Sequence, residues 1–213
     1  MNIAIDGPAG SGKSSVAKSV AKKINFVYVD TGSMYRAMAL KALNNNVNID
    51  DNEEVRKLIS ETSFSLDGNR LLIDSNPISN KIRDDKVTSL SSKIAVNRDI
   101  RNFLVGEQRK IAESNDVVME GRDICTVVLK RSKNKFYLDA NPEVRAKRRL
   151  LQKNEELTET NLKNTISSIR ERDERDSSRE IAPLRIAEDA KYIDTSNLTL
   201  EEVVDIIIKE LKR

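Results

Sequence analysis

Between Gly7 and Ser15 the chain reads GPAGSGKSS, which puts Gly7, Gly12, Lys13 and Ser14 in the four defining places of G-x-x-x-x-G-K-[ST]. Glycines at such a turn let successive N–H groups point inward as a nest for an anion, at the positive end of the helix that follows. A lysine beside the nest reaches the β- and γ-phosphates of a nucleotide as a point charge. The hydroxyl after it completes the shell of a Mg²⁺ ion. Gly7, Pro8, Ala9, Gly10, Ser11, Gly12, Lys13, Ser14 and Ser15 therefore form the candidate ATP site. Lys13 is its candidate catalytic cation, Ser14 its candidate metal ligand, and Mg²⁺ arriving as MgATP the expected cofactor. An ordinary glycine-rich turn needs neither Lys13 nor Ser14 at these places. The dinucleotide fingerprint G-x-G-x-x-G cannot be laid over these glycines.

Such a loop must be carried by a strand that ends where it begins and a helix that starts where it stops. Ile3 to Ile5 is an apolar run, and Val16, Ala17, Val20, Ala21 and Ile24 recur at helical spacing. Phe26 to Val29 reads as a second strand ending at Asp30, followed by a helix from about Ser33 to Leu43. Asp50 and Glu53 frame a capping-box start to a helix reaching about Ile59. Phe64 to Leu66 and Leu71 to Ile73 flank Asp67-Gly68-Asn69 as a tight hairpin, and a hairpin inside an α/β pattern suggests an insertion. Lys86 to Glu113 is helical with a break near Asn97. Val117 to Met119, Phe136 to Leu138 and Tyr192 to Asp194 read as strands of a buried parallel sheet, with acidic residues at their ends. Pro142 opens a helix, a polar stretch covers Gln152 to Asn161, and another helix runs from about Leu162 to Asp176. Thr199 and Glu202 cap the last one. One α/β unit with insertions accounts for the 213 residues.

Composition narrows the chemistry. Thirty-seven basic and 34 acidic residues give a net charge of +3, a mixed surface rather than the cationic field of a long nucleic-acid binder. A lone Cys125 excludes an internal disulfide. No apolar run long enough for a membrane span and no signal pattern is visible, so a soluble, cytoplasmic protein is expected. There is no histidine, which removes the usual general base, the usual serine and cysteine triads and the commonest zinc ligand. Phosphoryl transfer survives that loss because its loose transition state asks for positioning and charge compensation, supplied by Lys, Arg and Mg²⁺. A regulatory GTPase is excluded: no glycine has an aspartate three residues before it, and the Asn-Lys pairs continue as NKIR and NKFY.

The remaining candidate residues are arginines set beside carboxylates. Arg36 follows the second strand, Arg122 and Asp123 follow an acidic strand end, and RERDERDSSR places Arg172, Asp176 and Arg179 at i, i+4 and i+7. Those three share one helix face if the helix continues through Ser177 and Ser178. Taken alone, alternating Arg and Asp reads as a solvated salt-bridge ladder ahead of a site, RAKRR (Arg145 to Arg149) as an exposed basic face, and Tyr35 as core.

As an ensemble, the chain resembles the bacterial cytidylate kinases. The resemblance runs through IAIDGPAGSGKSS, YVDTGSMYRA, VVMEGRDICTVV, FYLDANPEVRAKRR, IRERDERDSSREIAPL and YIDTSNLTLEEVV, from end to end. It implies a single P-loop NTPase domain over 1–213, α/β with a parallel sheet core flanked by helices. It also implies a nucleoside-monophosphate-binding insertion at roughly 31–98 and a short lid at roughly 145–161. It places CMP on Thr31, Tyr35, Arg36, Ser92, Arg101, Arg122, Asp123, Arg172, Asp176 and Arg179. Arg122, Arg148 and Arg149 join Lys13 as catalytic candidates, with Arg145 a further lid arginine, and Asp30 could hold Mg²⁺ through water. The implied reaction is γ-phosphate transfer from ATP to CMP or dCMP by a monomer, with no nucleic-acid or membrane partner. Kinases of UMP, AMP or shikimate, and a nucleotide-dependent nucleic-acid-binding or regulatory protein, are the alternatives. Cys125 stands where the family pattern GRDIGTVV has glycine, Ser15 where threonine is usual and Glu120 where aspartate is common.

Overall fold

A computed structural model describes residues 1–212 and divides the chain into two compact units, Met1–Tyr28 with Val117–Arg213, and Val29–Asp116. In the first unit, strand β1 (Asn2–Asp6) leads through the phosphate loop into helix α1 (Lys13–Ile24). The strand β2 (Val27–Asp30) begins in this unit and ends in the other. After the second unit come β6 (Val117–Gly121), a π-helical turn at Ile124–Val128, β7 (Asn134–Asp139), α6 (Pro142–Lys153), α7 (Glu159–Ser177), β8 (Lys191–Asp194) and α8 (Leu200–Lys209). The sheet order is β2-β6-β1-β7-β8, with β1 parallel to both β6 and β7 and β8 parallel to β7.

The central position of β1 explains its composition. Ile3, Ala4 and Ile5 are wholly buried, as expected of a strand covered on both faces, and Asp6 at its end is equally buried. Val16, Val20, Val203, Val204 and Ile207 from α1 and α8 close over Ile3, Ile5, Val118, Phe136, Leu138 and Ile193 of the sheet. Leucine, isoleucine and valine side chains of this kind contribute about 1.5–3 kcal/mol each when fully buried. That core fixes the carboxyl ends of β1, β6 and β7, and the loops after those ends carry the candidate residues.

The second unit holds α2 (Thr31–Asn44), α3 (Asn52–Ser60), the hairpin β3 (Phe64–Asp67) and β4 (Arg70–Ile73), the short β5 (Asn76–Pro77), α4 (Asp85–Ile94) and α5 (Arg98–Ser114). Met34, Met38, Val55, Leu58, Ile94, Ile100 and Leu104 form its interior. Gly68 (φ +56°) supplies the left-handed turn residue of the expected hairpin, with Asp67 paired to Arg70. Asn97 caps α5 and makes the expected break. One cap differs from the sequence reading. Asp51, not Asp50, accepts from the N–H groups of Glu53 and Glu54, because the chain still turns at Asn48, whose side chain receives the Asp50 N–H.

Two boundaries also move. α7 begins at Glu159 rather than about Leu162, since Thr158 caps it by accepting from Asn161 N–H. The polar stretch shortens to the turn after Asn154, which takes the left-handed conformation (φ +55°) and ends α6. The expected insertion at 31–98 lies within the second unit. The stretch 145–161 comprises most of α6, that turn and the start of α7.

Candidate active site

The phosphate loop is shaped by close approach. Gly7 lies so near β7 that a Cβ would stand 2.0 Å from the Leu138 carbonyl oxygen, so no side chain fits there. Gly12 (φ +91°) is the left-handed residue that turns the chain into α1 with no side-chain cap, leaving the first N–H groups of the helix facing the loop. Pro8 is buried beside it. The Ser11 hydroxyl donates to Pro8 O at 3.1 Å, while Ser14 and Ser15 are exposed on the first turn of α1. Lys13 is buried and donates through Nζ to Pro8 O at 2.6 Å. Burial, and after it the charge of Arg122, push its ammonium down to about 7.

Across the end of β1, the Asp6 carboxylate accepts from the backbone N–H groups of Ile124 (2.9 Å) and Cys125 (2.7 Å). It fixes the turn that follows Arg122 and Asp123. Burial pushes its carboxyl up to about 6 despite those two hydrogen bonds. Cys125 has no positive φ, and its Sγ sits 3.6 Å from Ala4 O and 3.7 Å from Phe136 O. The family's glycine is therefore not needed here for an unusual backbone angle.

The residues after β6 and at the end of α7 meet. Arg122 donates through Nε to Asp176 Oδ2 at 2.8 Å and through Nη1 to Gly121 O, and Arg179 pairs with the other Asp176 oxygen. α7 ends at Ser177 with Ser178 as its cap, so Arg179 curls back onto Asp176 from just beyond the helix. Asp176 is only 2% exposed, which separates this cluster from a solvated ladder. Burial alone would raise its carboxyl. Arg122, Arg179 and Arg172 together outweigh that and hold it below the ordinary value. The reciprocal attraction raises Arg122 against its own desolvation. Arg172 and Asp123 complete this side, Asp123 being buried at the head of the π-helical turn, where its carbonyl accepts from Val127 N–H.

In the second unit the candidates form two separate arrangements. Asp30 caps α2 by accepting from Ser33 N–H at 3.0 Å and pairs with Arg36 at 2.9 Å, so each of its oxygens has a protein partner. Thr31 is buried at the first position of α2. Arg101, 3% exposed, donates to the Tyr35 hydroxyl at 3.0 Å, so Tyr35 is a polar partner rather than plain core. Ser92 sits half-buried on α4 with its hydroxyl 3.5 Å from Thr88 O.

The arginines of α6 are more firmly tied than a basic surface face. Arg145 is buried against Ala140 O, Ala9 O and Asp173. Arg148 donates to both the hydroxyl and the carbonyl of Thr195, at 2.9 and 2.7 Å, and Thr195 Oγ1 lies 3.2 Å from Ser11 O. Arg149 reaches Gln152 Oε1 at 3.4 Å on the surface. Asp6, Asp173 and Thr195 were not singled out by sequence. Beyond Thr195, a groove of about 560 Å³ opens at the carboxyl ends of β7 and β8, between Asp139, Asp194, Tyr192 and the start of α6.

A parallel sheet, a phosphate loop at the end of its central strand and a guanidinium cluster beside that loop define a P-loop kinase. Solved structures agree at the level of fold. An uncharacterised protein from Eubacterium ventriosum aligns with TM-score 0.56 at 16% identity over 98% of this chain and 96% of its own. Shikimate kinase from Bacteroides thetaiotaomicron gives 0.51 at 16% identity over 99% of each. Sequence carries the comparison further. The cytidylate kinase family profile matches residues 3–213. Cytidylate kinases from Clostridium botulinum (strain Loch Maree / Type A3) and from Caldanaerobacter subterraneus subsp. tengcongensis are 44% and 43% identical over the whole of this chain, covering 98% and 95% of theirs. The chain belongs to the cytidylate kinase family.

Proposed function

We propose that the protein transfers the γ-phosphate of MgATP to CMP, and to dCMP, giving CDP or dCDP and ADP. The observation that supports this best is the Arg122–Asp176–Arg179 cluster around a buried carboxylate beside the phosphate loop, near enough for Arg122 to depress Lys13. Guanidinium groups beside a phosphate loop suit two anionic reactants held in line.

The loop from Gly7 to Ser15 binds the donor's phosphates, with Lys13 leaving Pro8 O for the β- and γ-oxygens. Once it meets those anions, its ammonium is fully charged. Arg122 has N–H groups beyond the two bonds it makes to Asp176 and Gly121, and with Arg36 it clamps the acceptor phosphate. Asp176 and Arg172 contact the ribose. Asp123 accepts from the N4 amino group of cytosine, Ser92 is a further base contact by family resemblance, and Arg101 and Arg179 donate to the ring acceptors, while Thr31 and Tyr35 support them. Uracil inverts two of those polar positions, and a buried mismatch costs on the order of 1–3 kcal/mol. No general base is required, because the acceptor phosphate is already a nucleophile. Residues 31–98 are the acceptor-binding insertion and 145–161 the lid. Arg148 and Arg149 neutralise the transferring group, which for Arg148 means exchanging Thr195 for phosphate oxygen.

Mg²⁺ fits the donor set: an exposed serine hydroxyl at the head of α1 and phosphate oxygens are the hard ligands it favours. Ser14 would hold it. Bound there, it neutralises charge on the β- and γ-phosphates. Asp30 serves better as cap of α2 and partner of Arg36 than as an outer-sphere ligand. A cytoplasmic monomer without nucleic-acid or membrane partners is the setting proposed, and among the described residues no helix is long and apolar enough to cross a membrane.

Coupled ADP release measured over CMP, dCMP, UMP, AMP and shikimate tests the assignment. The cytidine nucleotides are expected to lead, and preference for any other acceptor overturns it. ADP formation that ignores every acceptor, with a salt-sensitive shift on RNA or DNA, favours the nucleic-acid reading instead.

A further inference from the structure

One residue of the phosphate loop is hydrogen-bonded through both of its backbone polar groups to side chains of α6 and α7. The Ala9 N–H donates to Asp173 Oδ1 at 3.1 Å, and the Ala9 carbonyl accepts from Arg145 Nη1 at 3.1 Å. Arg145 pairs in turn with Asp173 Oδ2 and donates through Nε to Ala140 O at 2.9 Å. Ala9, Asp173 and Arg145 thus close a ring in which both polar groups of Ala9 are committed to side chains from α6 and α7.

A carboxylate turned toward an anion-binding loop is electrostatically unwelcome there, since it repels the phosphate that the loop must accept. Pairing with the buried Arg145 offsets that charge, and the bond to Ala9 N–H sets the orientation of the peptides on either side. Asp173 follows Arg172 directly and stands three residues before Asp176, one turn along α7. A displacement of α7 at its guanidinium end therefore reaches Ala9 through a single carboxylate.

We propose that Asp173 is a positioning residue that couples the donor loop to the acceptor helix, so that filling one site orders the other. This rests on the kinase reading above. Neither the family comparisons nor the loop motif assigns the residue.

Asp173→Ala removes both bonds, whereas Asp173→Asn keeps an oxygen for Ala9 N–H and gives up the ion pair with Arg145. The measurement is CMP affinity by calorimetry, with and without a non-hydrolysable ATP analogue and Mg²⁺, together with kcat and both KM values, well below each variant's Tm. In the wild-type protein the analogue should tighten CMP by about five-fold or more, a coupling of ordinary size. In Asp173→Ala that ratio should collapse to one and kcat fall on the order of ten- to a hundred-fold, as expected of misplacement rather than lost contact. CMP affinity without the analogue should change little, and Asp173→Asn should recover part of the ratio. The proposal is overturned if the wild type shows no coupling, or if Asp173→Ala keeps it while only its Tm drops. Failure of the kinase reading is distinct, for it appears in the wild type as ADP formation indifferent to CMP.

Discussion

The phosphate loop and the arginine cluster both present positive potential to anions, but they are built from different material. The loop uses backbone N–H groups and glycine geometry, and Lys13 is the one ionisable side chain of its own. The cluster uses ionised side chains around one buried carboxylate, Asp176, and its cohesion is a balance of desolvation against Coulomb attraction. A backbone cradle survives most side-chain changes, whereas a charge cluster fails when one member is removed. The two halves of the site should therefore respond to mutation in different ways.

The largest effect is expected at the one ionisable side chain of the cradle. Lys13→Ala should lower kcat on the order of 10²–10³-fold, as for loss of a preorganised electrostatic donor, with a smaller loss of ATP affinity because the N–H groups remain. Steady-state ADP release over an ATP titration checks it, and a change confined to KM would show that the cradle needs no charge of its own.

Next is the carboxylate of the cluster. Asp176→Asn leaves Arg122 and Arg179 without their buried counter-charge and should cost about 3 kcal/mol of stability, with a raised KM for CMP. The pH sign follows from the direction of its shift. The folded carboxyl lies below its unfolded value of 3.8, so its contribution is complete above that value and is lost as pH falls through the folded one. Denaturant melts from pH 6 downward should show the wild type weakening below about pH 4 and the variant weakening less.

Asp123→Ala sharpens the contrast within the acceptor side, because it should erode preference for CMP over UMP by on the order of 1–3 kcal/mol in kcat/KM while ATP affinity stays nearly constant. Parallel loss of both would remove this side chain from base recognition.

The smallest effect is protonic. Burial, and after it Arg122, push Lys13 down to about 7 in the free protein, so its amine should be substantially neutral at pH 8 and regain its proton when the phosphates bind. ATP binding at pH 8 should then take up close to one proton, visible as a heat that varies with buffer ionisation enthalpy. The uptake should vanish near pH 5 and in Lys13→Ala.

The same contrast governs what could be read from the chain alone. The cradle is contiguous, so its residue types and spacing lie together in GPAGSGKSS, and the strand and helix around it follow from apolar periodicity. Arg172 and Asp176 were legible as neighbours on one helix face, Arg179 reaches Asp176 from past the helix end instead of from that face, and nothing local distinguished a buried cluster from a solvent ladder. The decision depends on Arg122, 54 residues away from Asp176. Asp173, Asp6 and Thr195 escaped notice for the same reason: their partners Ala9, Ile124 and Ser11 lie 164, 118 and 184 residues off. Cap positions slipped by a residue or more where neighbouring polar residues compete, as Asp50 and Asp51 do.

Cys125 has a practical consequence. Its sulfur lies against the Ala4 and Phe136 carbonyls of β1 and β7, 1% exposed, and burial pushes its thiol well above the ordinary range. A thiol reagent can reach it only when the packing around it opens. Because it is the sole cysteine, the rate of its alkylation in native buffer is a clock for local opening around the turn that holds it, and any nucleotide that slows the clock reports its binding without a label.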